Sequence, residues 1–382
     1  MTHNMGSVKD FTVIEPAQAG KLGLGKFTFS NRYSVFDWGQ MPDDIADKGA
    51  SLCITSAYFF ERLEEMGIKT HYLGVVEDGC AKRLKDVKNP QSAMQIKLVR
   101  VVRPSIVSLR GAQGATKQSP NPPSPPFFKG GNKGGFREIA AAPLGPRNDT
   151  YDYSPFKSER TNFLIPLEVI YRNSLPEGSS VFKRLKLGTL KLEALGLKEM
   201  PAPGTMLATP LFDVSTKLES TDRYLSWNEA KDIAGLSEQE LQDLKKAVMD
   251  IDNLLTKEAG KAGLVNEDGK VEFGFDENRN LMLLDTVGTL DECRFTFNGL
   301  PVSKEILRKH YRGGAWHNEV EDAKKNGGIE WKRLVKSRPN PLSPELKQLA
   351  SDMYKSACNE LTGREWFKGV NGIKEILKEI AK

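Results

Sequence analysis

The chain has 382 residues, 39% hydrophobic and 27% charged, an ordinary globular composition that excludes disorder over the whole length. Its 55 Lys and Arg against 50 Asp and Glu leave a formal charge of +5, too small for this length to mark a nucleic-acid surface and compatible with an anionic small substrate. No stretch reaches the roughly 20 continuous apolar residues that cross a bilayer, and the first residues lack the apolar core of a secretory signal, so no membrane partner and a cytoplasmic address are expected. Cys53, Cys80, Cys293 and Cys358 are far apart without a CxxC pair, which predicts reduced, packed thiols rather than a zinc site or redox dithiol.

In chain order, short β-like runs at 8–14 and 26–29 are broken by Gly20, Gly23 and Gly25. After a turn region at 39–49, residues 51–66 place Leu52, Tyr58, Phe59, Leu63 and Met66 at near-helical spacing, with Gly67 as a stop, which predicts a helix lying against a sheet. MQIKLVRVV, 94–102, alternates as a strand carrying Lys97. Residues 111–150 pack Pro, Gly, Ser and Lys with almost no apolar periodicity and read as a flexible, tolerated and functionally silent insertion, with a docking motif at Phe127 and Phe128 as the competing reading. NFLIPLEVIYRN, 162–173, reads as a buried strand with two charges, Glu168 and Arg172, and charges in such a run face a cleft or an edge.

Residues 237–259 predict a helix, with Ser237 and Glu240 in capping-box spacing before Leu241, Leu244, Val248, Ile251 and Leu255. VEFGF, 271–275, and LMLLD, 281–285, predict a β-hairpin across the turn-rich DENRN. Helices are expected near 303–310, 317–325 and 344–360, the last opened by Ser343 and Pro344. The amphipathic tail at 362–381 is expected to pack on the chain's own body or on a second subunit, which leaves a homo-oligomer open.

Four segments concentrate chemistry. The hairpin holds Asp268, Lys270, Glu272 and Asp285 in an otherwise apolar unit, and paired acidic oxygens on adjacent strands can hold Mg2+, with Glu272 and Asp285 as the candidates; the competing reading is that both face solvent or pair with Lys or Arg. Segment 168–186 combines Arg172 and Asn173 with the Gly178-Ser179-Ser180 turn and with Lys183, Arg184 and Lys186, which makes either a phosphate seat or an ordinary solvated face. Segment 29–49 alternates Asn31, Arg32, Ser34 and Asp37 with aromatics and reads as a small-ligand site with a hydrophobic floor. Segment 208–222 offers Ser215, Thr216, Lys217 and Glu219, and composition does not distinguish a binding loop from a capped turn there. The four histidines form no ligand motif, and the chain carries neither a GxxxxGK[ST] loop nor a nucleophile elbow, so covalent Ser or Cys catalysis has no support.

Together these segments resemble the SAICAR synthetase family. DGKVEFG, 268–274, is similar to its Asp-x-Lys-x-Glu-Phe-Gly signature, and PLEVIYRNSLPEGS, 166–179, to its Pro-x-Glu-x-x-x-Arg…Gly-Ser signature. SNRYSVFD, 30–37, with DKG at 47–49, resembles the Thr-Asp-Arg-x-Ser-x-Phe-Asp block; ATPLFDVSTKLE, 208–219, resembles the Thr-Pro-Ser-Thr-Lys-x-Glu loop; and GSVKDF, 6–11, resembles the Gly-Lys-x-Arg-Asp strand pair that covers the nucleotide.

The resemblance implies an α+β, two-lobed fold related to ATP-grasp enzymes and protein kinases, with the ATP cleft between a small N-terminal sheet and a larger α+β domain. It divides the chain into a β-rich nucleotide-covering part at 1–110, the insertion at 111–150, a central ATP and substrate domain at 151–312, and a helical extension at 313–382. It also implies ATP and Mg2+, ligation of L-aspartate to the carboxylate of an aminoimidazole ribonucleotide through an acyl phosphate, and no nucleic-acid partner. Carried over by position, Glu272 and Asp285 become metal and ATP ligands, and Lys9 and Lys97 face the ATP phosphates. Lys270, Glu272, Asp285 and Arg172 act in catalysis, while Arg32, Ser34, Asp37, Arg172, Gly178, Ser179, Ser180 and Lys217 hold substrate, with Lys183 and Arg184 as further basic groups.

The chain departs from the family pattern at Ser7, Asn31, Thr286 and Leu290-Asp291-Glu292, where the family has Lys, Asp, Glu and Pro-Asp-Ser. These departures leave open a divergent branch with the same reaction, a ligase or phosphotransferase for another amine or carboxylate, and a non-catalytic nucleotide-binding relative.

Overall fold

In a computed structural model the chain builds two antiparallel sheets joined by a short crossing. The structure describes residues 2–5, 8–108, 149–219, 222–326 and 328–380; the Ser7 departure and nearly all of the insertion, with Phe127 and Phe128, lie outside them. The first sheet comprises β1 (Thr2–Met5), β2 (Lys9–Glu15), β3 (Gly23–Phe29), β4 (Tyr72–Glu77), β5 (Cys80–Lys82) and β6 (Ala93–Leu98), in the order β1-β2-β3-β6-β4-β5. Helix α1 (Lys48–Glu65) packs on it. Phe60 of α1 meets His71 at 5.2 Å, and His71 meets Phe27 of β3 at 5.8 Å. The helix starts three residues before the predicted 51, because Lys48 and Gly49 are themselves buried.

The strand predicted over 94–102 ends at Leu98. Beyond it the backbone leaves the first sheet to join the second: Arg100 N–H donates to Asn162, Leu164 N–H donates back to Arg100, and the Arg100 guanidinium pairs with Glu159. A small ribbon, β7 (Ser105–Ser108) with β8 (Asp149–Asp152), and helix α2 (Ser154–Ser158) follow.

The second sheet contains β9 (Phe163–Leu175), then, after α3 (Ser180–Lys186), β10 (Thr205–Thr216) and β11 (Tyr224–Leu225). Helices α4 (Trp227–Ala234) and α5 (Glu238–Lys261) precede β12 (Val265–Phe275), β13 (Leu281–Leu284), β14 (Cys293–Phe297) and β15 (Leu300–Val302). The order is β11-β10-β9-β12-β14-β15, with β13 paired to β12 as the predicted hairpin. In α5 the expected capping box is complete, since Ser237 accepts from Glu240 N–H and Glu240 accepts from Ser237 N–H. Its predicted apolar residues are all buried, packed over β9 and β12.

Four helices close the chain: α6 (Glu305–Tyr311), α7 (Ala315–Asn326), α8 (Pro344–Thr362) and α9 (Ile373–Ile380). Helix α8 is capped by Ser343 with Pro344 in its first turn, as predicted, and packs on α1. Helix α9 buries Ile373, Ile376 and Leu377 against α8, so this apolar stripe packs within the chain.

Candidate active site

The site is laid out by strand register. Strands β9 and β12 pair antiparallel, with Arg172 opposite Asp268, Ile170 opposite Lys270 and Glu168 opposite Glu272. Side chains alternate along a strand, so Glu168, Ile170 and Arg172 share one face with Asp268, Lys270 and Glu272. The adjoining β10 sets Asp213 beside Ile170 and Ser215 beside Glu168. The alternate residues Val169, Tyr171, Val271 and Phe273 are buried in the core. Gly269 belongs to this second set, where a Cβ would come within 2.2 Å of the Tyr171 hydroxyl, so the residue between Asp268 and Lys270 has to be glycine.

At one end of the face, Glu168 and Glu272 stand directly opposite each other, an unfavourable placement for like charges. Two lysines offset it. Lys217 Nζ lies 2.5 Å from Glu272 and 3.7 Å from Glu168, and Lys270 Nζ lies 3.3 Å from Glu168 and 3.6 Å from both Glu272 and Glu292. Asp285, just past β13, has a left-handed backbone with φ of 61° and forms an ion pair with Lys9 of β2, so the first sheet reaches over the second at this point. Strain of this kind in a non-glycine residue persists where the surroundings over-determine it, as at functional sites.

Burial opposes the charge on Asp285, but Lys9, then Lys217 and Lys270, outweigh it and hold the carboxyl down to about 2. Glu272 moves the other way, because burial and the charge of Asp285 outweigh the help from its lysines. On Lys217 and Lys270 burial is outweighed by the surrounding carboxylates, and both ammonium groups are held charged.

The same face continues into an apolar slot. Leu284 lies opposite Glu272 and Met282 opposite Gly274, and both pack with Leu164, Leu22, Val99 and Val101. Beside the slot is a cavity of about 370 Å³ lined by Leu22, Met282 and Lys97, among others.

At the opposite end lies a cavity of about 330 Å³ rich in guanidinium groups. Arg172 is 3% exposed and donates to Asp213 at 3.0 Å, Asp268 at 3.2 Å, Ser180 at 3.2 Å and the Tyr224 hydroxyl at 3.2 Å. Each aspartate also holds a second arginine, Arg184 on Asp213 at 2.8 Å and Arg294 on Asp268 at 2.5 Å. Arg184 stacks on the Tyr224 ring with 4.0 Å to its centroid. Asp291, Lys304 and Arg308 line the far wall, where Lys48 pairs with Asp291 at 2.6 Å. Lys270 lines this cavity and also touches the carboxylate cluster, so the two ends meet at its ammonium group.

Of the residues singled out from sequence, Lys9, Lys217, Lys270, Glu272 and Asp285 come together at the carboxylate end. Arg172, Gly178 and Ser180 lie at the guanidinium end, with Lys97 beside the apolar slot. Ser179 caps α3 and lies 3.5 Å from Arg172. Arg32 pairs with Asp10, next to Lys9. Ser34 lines neither cavity, and Asp37 is exposed and pairs with Lys324 at 3.0 Å on the surface. Asn31 has a structural part, its side-chain oxygen accepting from Gly49 N–H at 3.1 Å. Sequence reasoning passed over Tyr224, Arg294, Lys304 and Arg308, and met Asp291 only within the segment that departs from the family's Pro-Asp-Ser. Arg294 alone left a signal there, a charge alternating out of the apolar run CRFTF.

The SAICAR synthetase family profile matches residues 20–124 and 158–323. An Archaeoglobus fulgidus protein named "Putative phosphoribosylaminoimidazole-succinocarboxamide synthase" is 46% identical over 98% of both chains. The phosphoribosylaminoimidazole-succinocarboxamide synthase of Thermoplasma volcanium is 30% identical over 89% of this chain and 93% of its own. Among solved structures, the SAICAR synthase of Saccharomyces cerevisiae complexed with SAICAR matches with a TM-score of 0.58 at 19% identity, covering 96% of both chains. A type-2 SAICAR synthetase in complex with ADP matches with a TM-score of 0.52 at 19% identity, covering 89% of this chain and 100% of its own. The fold, the paired carboxylates and the ordered signatures converge, and the chain belongs to the SAICAR synthetase family.

Proposed function

We propose that the protein ligates L-aspartate to carboxyaminoimidazole ribonucleotide, consuming ATP and releasing SAICAR, ADP and phosphate in purine biosynthesis. The observation that carries the reading is the position of Lys270 between a lysine-bridged carboxylate cluster and a guanidinium-lined cavity, on one continuous sheet face. The first end suits a nucleoside triphosphate: the cavity beside the apolar slot, lined by Leu22 and Met282, would take the base, and Lys9 and Lys217 would take phosphate oxygens. The second suits an anionic ribonucleotide, with Arg172 and Arg294 supplying positive charge in its wall and Ser180 and Gly178 on the turn beside them. Asp291 facing Lys304 and Arg308 gives the amino-acid substrate one acceptor for its amine and two donors for its carboxylates.

Glu272 and Asp285 fit a hard divalent cation. Glu272 is a buried oxygen donor on β12 and Asp285 a partly buried one just past the paired β13, and each now holds a lysine ammonium as counter-charge. Two carboxylates would leave the rest of an octahedral shell to water and phosphate oxygens, as Mg2+ prefers. Glu272 and Asp285 would hold the ion, which would supply neutralisation of the charge on the transferred phosphoryl group.

A carboxylate is a poor acyl donor, because it lacks a good leaving group. In the proposed reaction a substrate carboxylate oxygen bonds to the γ-phosphorus of ATP as the bond to ADP breaks. The aspartate amine then bonds to the acyl carbon of that acyl phosphate, losing a proton as inorganic phosphate leaves. No side-chain nucleophile is required; the protein positions the reactants and neutralises charge, with Lys270 placed where both halves meet. A cytoplasmic location accompanies this reading, supported by four free cysteines, three of them buried.

The test is phosphate release by purified protein with Mg2+, ATP, carboxyaminoimidazole ribonucleotide and L-aspartate, omitting each in turn and identifying the product by mass. Release that needs all four and yields the succinocarboxamide supports the reading. Phosphate release without that product overturns it in favour of a ligase for another amine or acid.

A further inference from the structure

We propose that Tyr354, on the C-terminal helix α8, is a positioning residue of the ligation site that holds the Asp291 carboxylate in place in the wall of the substrate cavity. The inference rests on the reading of that cavity as the seat of the amine, and it assigns a part in the chemistry to a helix that begins beyond residue 323, where the family match ends.

The Tyr354 hydroxyl donates to Asp291 Oδ1 at 2.7 Å, while Lys48 donates to Oδ2 at 2.6 Å. Both carboxylate oxygens are therefore held from different elements, and only their remaining lone pairs are left to face the cavity that Asp291 lines. Tyr354 is 1% exposed and Lys48 is fully buried, with the ammonium 5.4 Å from the centre of the Tyr354 ring.

Helix α8 is aimed at this point by one face. Lys347 pairs with Asp43 at 3.2 Å, the Ser351 hydroxyl donates to the Ala46 carbonyl at 2.8 Å, and Tyr354 reaches Asp291. The spacing i, i+4, i+7 is a single helical stripe running along the loop that leads into α1. Packing alone needs only a phenylalanine ring at 354, whereas the buried hydroxyl has a specific acceptor that is itself a cavity group.

The titratable groups facing Asp291 are the ammonium groups of Lys48 at the start of α1 and Lys304 just before α6, and the neutral hydroxyl of Tyr354 on α8, with Arg308 of α6 facing the tyrosine in turn. Burial opposes the aspartate's charge, and Lys48, then Lys304, then the tyrosine hydrogen bond outweigh it, so the carboxyl titrates below its usual range.

Tyr354→Phe keeps the ring and deletes the donor. In full-length protein with 13C-labelled aspartate carboxyls, the Asp291 signal, assigned by its loss in Asp291→Asn, is expected to titrate at higher pH in Tyr354→Phe. The variant is also expected to lose roughly tenfold in kcat/KM for L-aspartate, the usual weight of one charge-assisted hydrogen bond, with KM for ATP little changed and the urea midpoint lowered by no more than the loss of that one bond. An unmoved Asp291 titration overturns the proposal. So does a moved titration with unchanged aspartate kinetics, or an equal loss for every substrate. If wild-type protein turns over no L-aspartate, the aspartate reading falls, and the Asp291 titration alone decides whether Tyr354 holds this carboxylate.

Discussion

Replacing Arg172 by methionine separates the stability of the site from its function. Removing one partner of an isolated buried ion pair costs about 3–5 kcal/mol, because a charge is left without compensation. Arg172 differs, since both of its carboxylates have a second guanidinium: Asp213 keeps Arg184 at 2.8 Å and Asp268 keeps Arg294 at 2.5 Å. Neither aspartate is orphaned, and what remains is the loss of hydrogen bonds to Ser180 and Tyr224, about 1 kcal/mol each.

The expected destabilisation of Arg172→Met is therefore about 2 kcal/mol, read from urea denaturation. The ribonucleotide loses a buried positive charge from its cavity wall and the donor that orients the Ser180 and Tyr224 hydroxyls beside it, together worth about 3 kcal/mol, so kcat/KM for it is expected to fall by roughly two powers of ten. Arg172→Met combined with Arg294→Met should be destabilised by more than the two single changes together, because Asp268 then loses both cations. A loss above about 4 kcal/mol in the single variant, or unchanged ribonucleotide kinetics, would refute this account of the cage.

Further expectations follow from the carboxylate end. Asp285→Asn should abolish Mg2+-dependent turnover while the circular dichroism spectrum stays native, and full retained activity would remove Asp285 from the metal site. Lys217→Met removes the cation closest to Glu272, whose carboxyl already titrates above the usual glutamate range through burial and Asp285. Between the ordinary glutamate value and this raised one the native state binds the extra proton, so stability falls as pH rises through that window. The destabilisation of Lys217→Met, measured by urea titration at several pH values, should thus be largest above neutrality and shrink in acid; a deficit independent of pH would contradict it. Gly269→Ala should cost about 2 kcal/mol or more in the same assay, since the new Cβ would press on the buried Tyr171 hydroxyl, and a neutral result would mean that β9 and β12 can part locally.

Much of the local structure was legible from residue order alone, for reasons that are themselves local. The Ser237 and Glu240 spacing marked the start of α5, the apolar repeat marked its buried face, and DENRN between two apolar runs marked the hairpin. Alternation within a strand shows which residues share a face, so Glu168 with Arg172, and Lys270 with Glu272, were visible as pairs. The signatures in family order carried the fold and the reaction class.

Alternation does not say which strands are neighbours or in what register, and tertiary structure decided that. Only the pairing of β9 with β12 sets Glu168 against Glu272 and makes Lys217 and Lys270 necessary. Only the closure of the first sheet over the second brings Lys9 to Asp285, across 276 residues. Asp37, which looks the equal of Arg32 along the chain, turns outward to Lys324, while Arg294, Lys304 and Arg308 turn into the cavity from segments without an obvious motif. Sequence determines local conformation and the face a side chain occupies, through interactions a few residues long; which charges meet is set by long-range packing that seals the core, and the site is made of those meetings.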